Sequence, residues 1–138
     1  MSSNAVVGEQ AAERPPARTA DALVAEIVDA ERQIAALRAT QAGLVVDLDR
    51  LIGADFPDAA REELMVACKI TAGQARRRLD TARALSRRLA HTRAALSAGR
   101  ISVEHADAMA AATRGLPRDA AALVETEVLG DTRAHTPG

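Results

Sequence analysis

The sequence predicts an all-α fold: a long N-terminal helix packed on a bundle of shorter helices. Three observations carry this. Alanine supplies 33 of the 138 residues. Aromatic residues make up 1% of the chain, with a single Phe56, no tryptophan and no tyrosine, whereas strands favour aromatic and β-branched side chains. Apolar residues recur at helical spacing through most of the chain after residue 18. The length suits one domain with a modest core.

Residues 1–18 read as a disordered arm. They are small and polar, end in Arg14-Pro15-Pro16-Ala17-Arg18, and hold too few large apolar groups to offset the entropy of ordering them. A helical domain is expected over 19–130. Thr19 caps the first helix, and Asp21 sits favourably near its positive end. Leu23, Ile27, Ala30, Ile34, Leu37, Gln41, Leu44, Leu48 and Leu51 then follow at alternating spacings of four and three. This is a heptad seam. A helix over 20–52 would be about 50 Å long, so the seam requires a partner helix, from this chain or from a second copy. Gln41 is its polar member. Gly53 ends the helix.

Asp55-Phe56-Pro57-Asp58 is a turn. Asp58 is expected to cap a short helix to about Cys68, with Phe56 stapling its start. Cys68 is expected in the core. Thr71 with Gln74 is a capping box for the next helix, whose inner face carries Ala75, Leu79, Ala82 and Leu89, with Leu85 at its edge. A bend is expected near Ala90-His91, and Gly99 stops the stretch after it. Ser102 caps a helix through Met109, and Gly115-Leu116-Pro117 breaks it. Pro117 starts a last helix that Gly130 ends. Residues 131–138 read as a tail. Its Thr136-Pro137 pattern resembles the opening of a further helix, which suggests a truncated gene, a split frame or a remnant; an ordinary flexible terminus is the alternative.

Several function classes are disfavoured. No apolar run approaches the roughly 18 residues of a membrane span. One cysteine provides neither an internal disulfide nor a multi-cysteine zinc site. His91, His105 and His135 have no second ligand at metal spacing, and no phosphate loop or nucleophile elbow is present. The expectation is a cytoplasmic, non-catalytic chain without cofactor, metal or small-molecule substrate.

Charge is unevenly distributed. Residues 1–68 hold 6 basic and 12 acidic groups, residues 69–105 hold 9 and 2, and residues 106–138 hold 3 and 5. The net −1 of the whole chain therefore hides a central block of +7. On a wheel of about 100° per residue with Leu79 at zero, Arg83, Arg76 and Arg87 fall near 40°, 60° and 80°. Arg77 and Arg88 fall near 160° and 180° on the same wheel. Such a stripe can follow a phosphate backbone. These five arginines are the candidate nucleic-acid contacts, with Lys69 and Arg100 as secondary candidates. A solvated face, or one neutralised by the acidic first helix, is the competing explanation. Two segments, 63–79 and 96–106, carry the pattern of helix-turn-helix units. In the first, Ile70 anchors the turn and Lys69 stands where a glycine is common. Such short patterns recur by chance, and a plain helical hairpin is the simpler explanation of each segment.

Together these residues resemble the 13E12 repeat proteins of high-GC bacteria, whose N-terminal region is domain of unknown function 222. The resemblance rests on Glu63-Leu64 with Ala67, on Ala75-Arg76-Arg77-Arg78-Leu79, and on Ala82, Leu85 and Arg88-Leu89. It continues through Thr92, Leu96, Gly99-Arg100-Ile101-Ser102, His105-Ala106 and the Gly115-Leu116-Pro117 break. It covers roughly residues 20–138. Members of that family often carry an HNH nuclease after this region. The only asparagine here is Asn4, so a His-Asn-His site is absent and nuclease activity does not carry over. The resemblance implies a DNA-processing context. The leading expectation is a DNA-binding or DNA-positioning module. The alternatives are self-association or partner docking through Leu23–Leu51, and an inactive remnant.

Overall fold

The computed structural model describes residues 18–135, with side chains described through Gly130. Six helices and no strand occur among these residues: α1 (Ala20–Ile52), α2 (Ala59–Cys68), α3 (Ala72–Arg87), α4 (Ala90–Ser97), α5 (Val103–Ala112) and α6 (Arg118–His135). The disordered arm expected over 1–18 lies outside the described residues apart from Arg18, and so does the Thr136-Pro137 pattern.

The chain divides into two units after Ala30. In the first, the Thr19 hydroxyl accepts the Ala22 N–H at 3.0 Å, which is the expected cap. Arg18 pairs with Glu26. Leu23, Val24, Ile27 and Val28 are exposed.

The second unit holds the core. The α1 side chains that enter it are Ala35, Ala39, Ala42, Val45 and Val46. The seam calls for a partner in this chain or in a second copy, and the described helices of this chain leave most of it uncovered. Ile34, Leu37, Leu44 and Leu51 are exposed, Leu37 at 70% and Leu51 at 80%, on a side about 150° round the helix from the buried one. Ala35, Ala39, Ala42 and Val46 repeat at the same four-and-three spacing as the leucines. This small-residue face, and not the leucine stripe, is the side of α1 that is buried in the core.

The α3 helix is the hub, touching α2, α4 and α5, while α4 also touches α5 and α6. Its Ala75, Leu79, Ala82 and Ala84 are buried, and Leu85 is fully inside rather than at the edge. The capping box forms as expected. Thr71 Oγ1 accepts the Gln74 N–H at 3.1 Å, and Gln74 Oε1 accepts the Thr71 N–H at 2.9 Å. Lys69 takes the left-handed conformation, φ 54° and ψ 49°, at the end of α2. This lets α2 and α3 join through three residues, with Ile70 packed against the core.

Three local expectations fail around α2. Asp58 makes no side-chain cap; its carboxylate lies 3.9 Å from Arg61 instead. Phe56 is 70% exposed and staples nothing, because Asp58 itself is already in helical conformation. Cys68 is exposed, since it occupies the outward side of the last turn.

The break between α3 and α4 falls at Arg88-Leu89. Leu89 cannot cap, so the α4 N terminus takes its acceptor from another helix: Glu125 Oε2 of α6 accepts the Thr92 N–H at 2.6 Å. Glu125 is 1% exposed. Gly99 ends α4 with φ +73°, as a C-terminal glycine should, and Ser102 caps α5 through the His105 N–H at 3.1 Å. The last helix does not stop at Gly130 but continues to His135. Helical propensity falls by only about 1 kcal/mol at a glycine, and Gly130 keeps a negative φ.

Candidate functional site

The seven predicted nucleic-acid contacts separate into two classes. Arg83 and Arg88 are structural. Arg83 donates from Nε to Asp49 Oδ2 at 2.8 Å and from Nη2 to Asp49 Oδ1 at 2.9 Å, a two-pronged pair between α3 and the end of α1. The Arg83 guanidinium holds the Asp49 carboxyl below its ordinary pKa, through the hydrogen bond first and its charge second. The same bond raises the pKa of Arg83. Arg88 donates from Nε to Thr113 Oγ1 at 3.1 Å and from Nη2 to the Ala110 carbonyl at 2.9 Å. It thus caps the carbonyl end of α5, where the helix dipole favours a cation. Each guanidinium commits its Nε and one Nη2 hydrogen to the fold.

Arg76, Arg77, Arg87, Lys69 and Arg100 are exposed. None of these five side chains makes a hydrogen bond or ion pair with the described residues. Arg76 and Arg87 remain on the flank that the wheel predicted. Arg77 turns toward a separate cleft that also takes in Arg38 and Arg78, neither of which the sequence reading singled out.

The second exposed feature is the outer stripe of α1. Gln41 stands within it, half-buried, and accepts from Arg38 Nη1 at 3.0 Å. Among the described residues, no group of three His, Cys, Asp or Glu is placed to hold a metal ion. No described helix is long and apolar enough to cross a membrane.

A family model, described as domain of unknown function (DUF222), matches residues 21–135. The chain belongs to this family. No curated protein and no solved structure matches it. The DUF222 match begins at the first turn of α1 and ends with α6, so the whole described bundle is family structure. This DUF222 chain is an all-α helical module in which the apolar heptad faces outward.

Proposed function

We propose that this chain is a non-catalytic association module in which α1 pairs, parallel and in register, with α1 of a second copy. The observation that carries this is the exposed stripe of Ile34, Leu37, Leu44 and Leu51 on the outer side of the bundle. The sequence repeat containing it runs back to Leu23. Its residues fall into heptad positions with Ile27, Ile34, Gln41 and Leu48 at a, and Leu23, Ala30, Leu37, Leu44 and Leu51 at d. β-Branched residues at a with leucine at d favour two parallel strands, and a lone polar a residue selects register. Gln41 supplies that residue. A large exposed aliphatic side chain gains roughly 1.5–3 kcal/mol on full burial, and pairing collects this gain on both copies.

Sedimentation or light scattering at micromolar concentrations tests the reading. A dimer is expected, converting to monomer when Leu37→Glu and Leu44→Glu are combined, with helicity by circular dichroism retained. A wild-type monomer across that range overturns it.

A second reading, DNA binding, has separate support. Arg76, Arg77 and Arg87 project from one capped helix with no hydrogen bond or ion pair to the described residues, with Lys69 and Arg100 exposed on nearby turns. Resemblance to 13E12 repeat proteins, which often carry an HNH nuclease after this region, supports a DNA-positioning role. Binding to a mixed-sequence duplex should weaken steeply with salt, and alanine at Arg76 or Arg87 should lower the salt slope by about one each. Absent or salt-insensitive binding by the folded chain defeats it.

A further inference from the structure

Helices α1, α3 and α5 bound a cleft of about 170 Å³. Its apolar lining includes Ala42, Val45, Leu85 and Leu96, all buried. Its charged lining is Arg38, Arg77, Arg78 and Asp107. Three guanidiniums against one carboxylate leave it with a net charge of +2.

These charges are poorly matched within the protein. Arg77 and Arg78 make no hydrogen bond or ion pair with the described residues. Among the described residues Arg38 hydrogen-bonds the neutral Gln41 amide, at 3.0 Å, and no carboxylate. Asp107 accepts from Thr81 Oγ1 at 2.8 Å and pairs with no arginine at ion-pair distance. Arg38 is half-buried, and burial, followed by the facing Arg78 charge, lowers its pKa. The nearby carboxylates Asp107 and Glu104 act in the opposite direction without cancelling this. An arrangement that sets like charges together over an apolar floor is complementary to an anion that the protein does not itself provide.

We propose that this cleft binds a small organic anion, a carboxylate on an aliphatic body, with the head at Arg38 and Arg78 and the body over Ala42, Val45 and Leu85. The planar guanidinium fork matches a carboxylate in two-pronged geometry. Phosphate carries no aliphatic body to rest on the apolar lining of Ala42, Val45 and Leu85, so the organic carboxylate is the better fit. The volume is below the about 300 Å³ at which drug-sized pockets begin, which limits the ligand to a short chain. The site is independent of pairing through α1, although Gln41 borders both.

The test is titration of the isotope-labelled full chain with hexanoate at fixed ionic strength, followed by amide NMR. Saturable shifts at Ala42, Val45, Ala82, Leu96 and Ala106 are expected. Acetate, which lacks the body, and inorganic phosphate should bind at least fivefold more weakly, and hexanol, which lacks the charge, should do the same. Arg78→Gln should weaken hexanoate at least fivefold while raising the melting temperature of the free chain, because a repulsion is removed. Arg38→Gln provides a second, separate variant. Equal binding of hexanoate and hexanol overturns the proposal. So do unchanged hexanoate affinity in both variants, phosphate binding as tightly as hexanoate, or shifts centred on the exposed α1 stripe.

Discussion

Arg83 and Asp49, 34 positions apart in the chain, face each other as a two-pronged ion pair at 2.8 and 2.9 Å. The pair ties the end of α1 to α3, and it commits an arginine of the basic block to the fold.

This pair makes stability depend on acid. Asp49 has a lowered pKa in the folded chain, so its contribution is complete above the unfolded carboxylate pKa of about 3.9 and is lost as the pH falls through the folded value. Asp49→Asn should cost about 1 kcal/mol at pH 7, as expected for a partly exposed pair. The variant should lose less stability than wild type between neutral and strongly acidic pH. Urea unfolding at two pH values measures both effects.

Glu125 replaces the cap that Leu89 cannot provide for α4. Glu125→Ala should leave the buried Thr92 N–H without an acceptor and destabilise the chain by roughly 1–3 kcal/mol. Glu125→Gln keeps an acceptor and should cost less. Thermal melts of the two variants check the order.

Lys69 is the one non-glycine residue with positive φ among those described. Lys69→Gly should raise stability by about 0.5 kcal/mol. The left-handed strain of roughly 1–2 kcal/mol is removed, and the added backbone entropy of roughly 0.5–1 kcal/mol opposes the gain. Chemical denaturation reads the sign, and a destabilised variant would contradict it.

The two faces of α1 should respond oppositely to substitution. Ala39→Leu overfills the inner face, where Ala39 is 4% exposed, and should cost about 1–3 kcal/mol. Leu37→Ser on the outer stripe should change monomer stability by no more than about 0.5 kcal/mol while weakening pairing. Unfolding at low chain concentration, compared with sedimentation, separates these effects.

Helix boundaries set by nearby residues were readable in order along the chain. The Thr19, Thr71 and Ser102 caps and the Gly99 stop each depend on partners within about four residues, a reach that spacing alone reveals. Asp58 carried the same signal and failed, because Arg61 offered its carboxylate another partner and its own backbone is already helical. Most of the inner face of α3 was equally plain, since Ala75, Leu79 and Ala82 have no rival apolar stripe on that helix; Leu85 was placed only at its edge.

On α1 two stripes share one spacing. Hydrophobicity ranks leucine above alanine, yet the alanine stripe is the buried one, so the choice of inner face depended on the helices opposite it. The fates of the arginines depended on partners still more distant: Asp49 for Arg83, and Thr113 with the Ala110 carbonyl for Arg88. The cleft joins Arg38 to Arg78 across 40 positions, and no local pattern encodes such a meeting. Composition and periodicity established an all-helical chain and where most of its helices begin. Which side of α1 faces inward, and which charges remain free for a partner, follow from contacts between helices, because burial and ion pairing are properties of surfaces brought together.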